Sequence, residues 1–540
     1  MARFMRNQMP MKRFLTLFSL SLSTLPLLAE IKLGDPFTDH MVLQREIPLK
    51  VWGTSSPNAE ITVQFAGQTA KAAADDKGRW TAKLNPLKTN ASPAELTASE
   101  APSSGKSSIT LKDVLVGEVW VGSGQSNMQG TVAGYAKGDP VLAKLAEGTY
   151  PLIRLRTSSP GRSWEVAEPA SINQFSAILF GFGVPLQKHL GVPVGLTVGA
   201  VGGTPSGYWL SEEMYRTDAG CQAAAEKSRA TFDLAKEQER YATAKAKYDA
   251  DTEQWKPLAD KAKAEGKQAP PAPRAPEPVI LPGECKGKIG NLYERFIQPM
   301  AGYGIRGVLW DQGESRTAIA GVDQFNVMNA LIKGWRKVWD QGDFPFLYVQ
   351  KPSGGGPAWD YANPVTDKAN KFADLPPTVP APDAGDYSYA LHLGLMRIPN
   401  THMVTSTDLG PGIHPSNKSG YGARAALVAQ STVYQSGEEC YGPAYASHRM
   451  QGSRMVIKFT HIGKGLAFQH GTKLQGFMIA GEDKKFTWAD ALIQGDEVVV
   501  SHPSISKPEA VRYAYASQFP WANLFNKNGL PAQPFRTDTW

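Results

Sequence analysis

A serine and a histidine stand in settings that suit nucleophilic chemistry. Ser126 closely follows the apolar residues 114–121, in the stretch Gly122-Ser123-Gly124-Gln125-Ser126-Asn127. Open α/β sheets bind ligands at the carboxyl ends of their strands, and several serine hydrolases carry the nucleophile on such a turn. Taken alone, the hexapeptide fits an ordinary polar loop equally well. His414, stiffened by Pro415, is the histidine that follows a predicted strand in the same way.

Together these residues offer the groups that ester hydrolysis requires. The reaction needs a nucleophile, a base that takes its proton, and donors for the developing oxyanion. Ser126 is the candidate nucleophile and His414 the candidate base. The candidate oxyanion donors are the backbone N–H of Ser126, that of Gly202 or Gly203, and the side chain of Gln312.

The order of elements predicts an α/β fold that brings these residues to one edge of a sheet. Apolar strands separated by helix-length segments are typical of a mostly parallel sheet. Four predicted strands end at Val121, Val198, Trp310 and Thr407, and each is followed by polar or glycine-rich residues. Strands are also predicted at residues 153–155 and 346–349, and a helix at 178–190. The common edge is therefore the predicted site.

The regions on either side of this pattern are predicted to be all-β. Short alternating runs with turn signals every 8–12 residues or so indicate β-sandwiches. Within the core region, residues 222–267 are rich in helix formers, and residues 269–282 are rich in proline. The predicted division is an N-terminal domain at 30–113, a core at 114–432 with a surface insertion at 222–282, and a C-terminal domain at 433–540.

The first 29 residues have the pattern of a secretory signal peptide. A basic start precedes an apolar stretch that reaches Leu28, and Ala29 is a plausible cleavage point. We therefore expect a secreted or periplasmic protein. The start region supplies four of the seven net positive charges, which leaves +3 for residues 30–540. Without a basic stripe, a nucleic-acid partner is not expected.

Neither a metal nor a nucleotide cofactor is predicted. The chain has three scattered cysteines, too few for a disulfide framework or a thiolate site, although one bridge between an undetermined pair stays open. There is no His-Glu-x-x-His pattern and no phosphate loop. No segment after the signal peptide is long and apolar enough to span a bilayer.

Several separate motifs, in one order, carry a family resemblance. They are Asp-His-Met-Val-Leu-Gln-Arg at 39–45, Gly-Gln-Ser-Asn-Met at 124–128, Gly-Gly-Thr-Pro at 202–205, Trp-Asp-Gln-Gly-Glu-Ser at 310–315, Ile-His-Pro-Ser-Asn-Lys at 413–418 and Pro-Phe-Arg-Thr-Asp at 534–538. With these motifs the chain resembles the sialate O-acetylesterases of the SGNH-hydrolase superfamily. The likeness covers nearly the whole mature chain.

The resemblance implies a fold and a function. It implies a three-layer, parallel-sheet core of the SGNH type and removal of O-acetyl groups from mono-, oligo- or polysaccharides through an acetyl-serine intermediate. It implies no metal cofactor, and it places the serine and histidine roles on Ser126 and His414.

The acidic partner of the histidine is the weakest part of the likeness. Many relatives carry an Asp two residues before the histidine, where this chain has Gly412. Asp408, on the same loop, is the predicted substitute. Asp311 and a bare Ser–His pair remain alternatives.

Two further departures lie beside Gln312. Relatives often have Tyr at Asp311 and Asn at Arg316, so the sugar pocket is expected to differ. Asn127, Glu314 and Arg316 are the predicted substrate-binding residues.

Two other functions fit the sequence. The same chemistry could act on acetyl-xylan or another polysaccharide, because acetate is common to all these substrates. A protein of another class, a non-catalytic carbohydrate binder on an esterase scaffold, is the second. The natural sugar, the acetyl position, the role of the insertion and the oligomeric state are left open by the sequence.

Overall fold

The computed structural model describes residues 30–101 and 107–540, so the predicted signal peptide at 1–29 lies outside the described residues. The N-terminal part consists of strands. They are β1 (Lys32–Leu33), β2 (Val42–Gln44), β3 (Leu49–Thr54), β4 (Glu60–Phe65), β5 (Gln68–Ala73), β6 (Arg79–Leu84) and β7 (Asn90–Glu100). Strands β1, β3 and β6 form a three-stranded sheet, and the other four join the central sheet.

Strand β8 (Ser108–Gly124) connects the N-terminal part to the centre of the molecule. Its first half pairs with β7 and β2, and its second half is a central strand of the main sheet. Because this one strand crosses residue 113, the N-terminal strands and the core share it. The predicted division at that residue stays a prediction.

The central sheet is built around the second half of β8, which is buried on both faces. Burial on both faces explains its unbroken apolar sequence, as in other parallel sheets. The remaining strands are β9 (Tyr150–Thr157), β10 (Glu165–Ala167), β11 (Val194–Ala200), β12 (Gly307–Asp311), β13 (Phe346–Val349) and β14 (Thr401–Val404), in the order β10-β9-β11-β8-β12-β13-β14. All neighbours except β10 and β9 are parallel.

Helices cover both faces of this sheet. They are α1 (Ser126–Gln129), α2 (Val132–Tyr135), α3 (Pro140–Ala146), α4 (Pro169–Gln174), α5 (Ala177–Leu190), α6 (Glu212–Thr217), α7 (Ala219–Ala230), α8 (Leu234–Ala264), α9 (Gln324–Trp339), α10 (Asp386–Leu395) and α11 (Lys418–Thr432). Trp120 and Leu309 pack with α5 and α11, whereas Val308 and Trp310 pack with α9. This alternation is the two-residue period of a strand between two helical layers.

The predicted helix at 178–190 is α5, and its ends follow capping chemistry. The Ser176 side chain accepts a hydrogen bond from the Leu179 N–H at the start. Gly191 ends the helix with φ +67°, a conformation that favours glycine.

The predicted helical insertion consists of α7 and α8. Helix α8 has 31 residues, none of them buried. Its charges pair along its own surface, as Lys245 does with Asp249 and Lys247 with Asp251. The following Pro-rich residues run back to the core without regular secondary structure.

The C-terminal part has its own hydrophobic core. Its strands are β15 (Ala444–Gln451), β16 (Arg454–Thr460), β17 (Leu466–Phe468), β18 (Phe477–Ala480), β19 (Thr487–Trp488), β20 (Asp490–Gln494), β21 (Glu497–Ser501), β22 (Ala510–Tyr513), β23 (Leu524–Asn526) and β24 (Phe535–Arg536). They form two four-stranded sheets and one pair of strands around buried side chains such as Ile457, Phe477 and Val511.

Two further findings concern cysteines and membranes. Cys221, Cys285 and Cys440 are free. Within residues 30–101 and 107–540, no helix has the length and apolar character needed to cross a bilayer.

Candidate active site

Strand register places Ser126 at the carboxyl edge of the sheet. Gly124, the last residue of β8, is opposite Ala200 on one neighbouring strand and Asp311 on the other. Gly124 has φ +130°, and a Cβ there would lie 2.1 Å from the Asp311 carbonyl oxygen. Only glycine permits this close turn. The next residue, Gln125, donates its N–H to the same carbonyl at 2.9 Å, and half-buried Ser126 then begins α1.

The structure brings Ser126 and His414 together across 288 residues of chain. Nε2 of the exposed His414 lies 2.8 Å from Oγ of Ser126. This separation is within the range for a nucleophile and its general base. A proton can therefore pass directly from the hydroxyl to the imidazole.

Gly202 and Gly203 lie in the turn beside the serine. A Cβ on Gly202 would lie 3.4 Å from the Ser126 Cβ. The Gly202 N–H already donates to Oε1 of Gln129 at 2.8 Å. Gly203 has φ +70° and open space where a Cβ would be, so its backbone is accessible beside the serine turn.

The position of Gln312 differs from the prediction of an oxyanion donor. Its Nε2 donates to the carbonyl of Arg316 at 3.0 Å and to that of Thr204 at 3.4 Å. Its Oε1 accepts from Nε2 of Gln324 at 2.8 Å, and the side chain is buried. Both amide protons are thus donated within the protein. Gln312 ties the Gly202–Gly203 turn to the loop that contains Arg316.

The predicted contact between Asp408 and His414 is absent. The Asp408 carboxylate is fully buried and accepts from both terminal nitrogens of Arg424, at 3.1 and 2.8 Å. A buried carboxylate needs such a paired cation, which explains why it points to α11 and away from the histidine. Gly412, at the position of the relatives' Asp, has φ +94°, which disfavours any side chain there.

Within the described residues, no carboxylate lies within 4 Å of His414. Residues 408–417, which we call the histidine loop, are instead held by other contacts. At one end is the Asp408–Arg424 pair, and at the other Asn417 caps α11 by accepting from the Gly420 N–H at 2.9 Å. In the middle, Nδ2 of Asn127 donates to the Ile413 carbonyl at 3.0 Å. Asn127 follows Ser126 directly, so it joins the serine turn to the residue before the histidine.

Asn127 is buried and Glu314 is half-buried, and both bind other side chains of the protein. Asn127 is 1% exposed, and its amide also donates to Oε1 of Glu314 at 3.0 Å and accepts from Nζ of Lys418 at 2.5 Å. Glu314 in turn lies 2.8 Å from Nζ of Lys351, which also contacts Asp311 at 2.7 Å. The site therefore has a buried network of charged and amide groups behind the nucleophile.

Two lysines of this network differ in charge state because their neighbours differ. Burial lowers the pKa of Lys351, but the carboxylates of Asp311 and Glu314 more than offset it, so its pKa is raised above the ordinary value. Burial also lowers the pKa of Lys418, here to about 7, since the more distant Asp311 and Glu314 offset it only partly. Lys351 is thus charged at neutral pH, and Lys418 is divided between its two forms.

Two further side chains near the site, Arg316 and His392, have different surroundings. Arg316 is exposed with φ +52°, and within the described residues its guanidinium has neither an ion-pair nor a hydrogen-bond partner. The histidine His392 is buried, donates from Nε2 to the Lys351 carbonyl at 2.9 Å, and has a pKa lowered to about 4 by burial. It supports the Lys351 loop.

Sequence reasoning missed Lys351 and the role of Lys418. Lys351 comes just after β13, so the rule that strand ends carry functional residues could have found it. Lys418 lies in a motif noted above, but nothing in the sequence indicates that it reaches Asn127. Within residues 30–101 and 107–540, no group of three or more His, Cys, Asp or Glu side chains is arranged to hold a metal ion.

Comparisons with known proteins include several acetylesterases. No family model matches the chain. It is 27% identical to the sialate O-acetylesterase of Homo sapiens over 439 residues, which are 73% of this chain and 70% of that protein. For the sialate O-acetylesterase of Mus musculus the identity is 27%, over 73% of this chain and 72% of that one. A solved carbohydrate acetylesterase from Xanthomonas citri has a TM-score of 0.68 and 26% identity, covering 94% of this chain and 100% of that one.

Proposed function

Because the chain belongs to the sialate O-acetylesterase family and is an ester hydrolase, we propose that it removes O-acetyl groups from acetylated sugars with Ser126 as nucleophile. The observation that carries the proposal is the 2.8 Å contact between Ser126 Oγ and His414 Nε2. The contact supplies the paired nucleophile and base that acyl transfer needs.

In the first half-reaction, His414 Nε2 takes the Ser126 proton as Oγ attacks the acetyl carbonyl carbon. The tetrahedral intermediate collapses when its bond to the sugar oxygen breaks, and His414 gives the proton to that oxygen. The products are the free sugar hydroxyl and an acetyl-serine. Water then attacks the acetyl-serine with His414 again as base, and acetate leaves as the serine regains its proton.

The oxyanion donors we propose are the backbone N–H groups of Ser126 and Gly203. Within the described residues, neither N–H has a hydrogen-bond acceptor, and Gly203 lies in the accessible turn beside the serine. Gly202 and Gln312 would have to give up their present acceptors before they could contribute. One oxyanion donor typically supplies about 10²–10³ in rate.

The histidine in this proposal is oriented by its loop. Asn127 holds the carbonyl of Ile413, and Asp408 anchors the loop through Arg424. The catalytic unit is thus a Ser–His pair on a fixed backbone, the alternative to an acidic third member that the sequence left open.

We also propose the finer fold and location that the sequence suggested. The parallel sheet with helices on both faces supports assignment of residues 114–432 to the SGNH type. The separate strand clusters support β-sandwich regions at 30–113 and 433–540. Residues 1–29 are assigned as a signal peptide cleaved near Ala29, for export to the periplasm or outside the cell.

The test compares two nearby serines, Ser126 at the start of α1 and Ser123 near the end of β8. Ser126→Ala is expected to lower kcat by at least about 10⁴-fold on p-nitrophenyl acetate and on O-acetylated sugars. Ser123→Ala is the matched control, because its buried Oγ donates to the Gly199 carbonyl at 2.8 Å and has no contact with His414. It should lose about 1 kcal/mol of stability and keep its activity. Acetate release by Ser126→Ala at the wild-type rate would disprove the assignment.

A further inference from the structure

A cleft of about 880 Å³ opens between the catalytic edge and the insertion. Its walls come from three parts of the chain. The serine side contributes Gly203 and Tyr208, and the loop after β12 contributes Arg316. The segment that returns from α8 to the core contributes Glu277, Ile280 and Lys286.

Two residues that line this cleft, Gly203 and Ser315, lie close to the serine turn. On one side the cleft is lined by Gly203, whose neighbour Gly202 would place a Cβ 3.4 Å from the Ser126 Cβ. On the other side it is lined by Ser315, whose N–H donates to Oε1 of Gln125 at 3.3 Å. A molecule whose ester reaches the serine therefore has this cleft beside it, with room for the rest of its length.

The outer wall is fixed to the core by backbone hydrogen bonds. The Lys286 N–H donates to the Ala318 carbonyl at 2.9 Å, and the Gly283 N–H donates to the Ala320 carbonyl at 2.7 Å. The Ala320 N–H donates back to the Glu284 carbonyl at 3.0 Å. The chain returning from α8 is thus paired antiparallel with the loop that contains Arg316. This pairing makes the outer wall a fixed surface beside the active site.

The groups on the walls match the surface of a sugar. Half-buried Tyr208 donates its hydroxyl to the Lys286 carbonyl, which holds its ring at the cleft. Glu277 and Lys286 form an exposed ion pair that offers an acceptor and a donor. Arg316 adds a guanidinium with five N–H donors and, within the described residues, no partner for them. The hydroxyl groups of a sugar accept and donate hydrogen bonds, and an aromatic side chain can pack against the apolar face of the sugar ring.

We propose that this cleft binds the sugar residues of an acetylated oligosaccharide beyond the one that bears the ester. The inference rests on the proposed esterase function and adds a preference for saccharide chains over monosaccharides. Binding pockets of about 300–1,000 Å³ hold ligands of drug size, so a cleft of 880 Å³ has room for more than one acetylated sugar ring. The insertion would then contribute to substrate binding, because the segment that returns from it to the core forms the outer wall of the cleft.

The test uses one lysine inside the cleft and one outside it. Lys286→Met removes the positive charge of the Glu277–Lys286 pair on the outer wall. Lys288→Met is the matched control, because Lys288 is two residues away, is also exposed and also forms an ion pair, with Glu294 at 2.5 Å. Each variant and the wild type are assayed for kcat/KM on chemically O-acetylated xylotetraose, on O-acetylated methyl xyloside and on p-nitrophenyl acetate.

The wild type is expected to hydrolyse the acetylated tetraose with a kcat/KM roughly tenfold above that for the acetylated methyl xyloside. We next compare the kcat/KM for the acetylated tetraose with the kcat/KM for p-nitrophenyl acetate. Lys286→Met should lower the ratio of these two values roughly tenfold, mainly through a higher KM for the tetraose, because a hydrogen bond to a charged group is lost. Lys288→Met should leave the ratio unchanged. A second cleft variant, Glu277→Gln, keeps the size of the side chain and should lower the same ratio.

Other outcomes overturn the inference. These are equal kcat/KM values for tetraose and methyl xyloside in the wild type, equal ratios in Lys286→Met and Lys288→Met, or hydrolysis of p-nitrophenyl acetate without hydrolysis of the tetraose. If the wild type hydrolyses none of the three esters, the proposed function itself fails. Thermal unfolding of every variant identifies any that misfolds.

Discussion

The serine turn and the histidine loop meet at one hydrogen bond, but the chain positions them by different means. Ser126 follows a strand that is paired on both sides, so backbone register and the single glycine Gly124 determine where it lies. His414 lies ten residues beyond the end of β14, too far for register to control. Its position depends on the side-chain contacts of Asp408 and Asn127.

The difference explains why the histidine loop has buried polar anchors at both of its ends. A loop without ladder hydrogen bonds must satisfy its backbone and fix its course with side chains. Asp408 with Arg424 anchors one end, and Asn417 caps a helix at the other. The serine turn needs no such anchors for its backbone. Substitutions of polar residues should therefore affect the two regions differently.

The largest expected effect is at the loop anchor. Asp408→Asn leaves Arg424 buried with a weakened partner, so we expect a loss of stability approaching the roughly 3–5 kcal/mol that breaking a buried pair costs. The kcat of the folded protein should fall by less than about tenfold, because the carboxylate lies on Arg424 and not on His414. Thermal unfolding and acetate release, measured on the same samples, check both parts.

The partner residue supplies the control for this prediction. Arg424→Met should destabilise the protein to a similar degree, and the double variant should lose less than the sum of the single losses. A loss of about 10⁴ in kcat in Asp408→Asn with an unchanged unfolding midpoint would instead identify Asp408 as the acid of a triad.

The next effect concerns the network behind the serine, which should make stability depend on pH. Burial holds the pKa of Lys418 at about 7 in the folded protein, against 10.5 for an ordinary lysine. Between these values the unfolded chain binds a proton at Lys418 that the folded chain does not, so stability increases with pH by roughly 1.4 kcal/mol per unit. Lys418→Met lacks this contribution. Its stability relative to the wild type should fall as pH rises from 7 to 10, which thermal unfolding measures.

Lys245→Met is the control for the pH experiment. Lys245 is an exposed lysine of α8 that pairs with Asp249 at 2.6 Å. Its unfolding midpoint relative to the wild type should not change between pH 7 and 10. If the unfolding midpoint of Lys418→Met relative to the wild type is also constant between pH 7 and 10, Lys418 is an ordinary charged lysine and burial does not lower its pKa.

Local features of the site could be predicted from the sequence. An apolar run predicts the strand before Ser126, and small residues predict the turn that follows this strand. A Ser cap marks the start of helix α5. Each of these features depends on residues that are close together in the sequence. The closeness of Ser126 and His414 could also be predicted, because the carboxyl ends of parallel strands lie at one edge of the sheet.

The side-chain partners could not be predicted, because they depend on how separate elements pack. Asp408 is six residues from His414, yet its carboxylate pairs with Arg424, about two turns into α11 from the cap. Gln312 has the right residue type for an oxyanion donor, but its protons go to carbonyls of two other loops. The spacing of two residues in the sequence limits how far apart they can lie, but it does not determine which partner each side chain contacts. The same limit hid the partners of Lys351, the carboxylates of Asp311 and Glu314.

Asn127 connects the two regions, so its substitution tests whether the serine turn also controls the histidine loop. In Asn127→Ala the Ile413 carbonyl loses its donor, and the histidine loop should shift relative to Ser126. A misplacement of about 1 Å typically costs up to about 10²-fold, so we expect kcat to fall by roughly 10- to 100-fold while KM changes little.

Asn417→Ala, at the far end of the same loop, separates this positioning role from a structural one. It removes the cap of α11 and should cost about 1 kcal/mol of stability, with a smaller loss of kcat than Asn127→Ala. Asn127→Asp keeps the size and Oδ1 but removes the Nδ2 donor, so it should not restore kcat. If Asn127→Ala and Asn417→Ala lose kcat equally, the histidine loop responds to any loosening, and the bond from Asn127 to Ile413 has no special part in holding His414 at the serine.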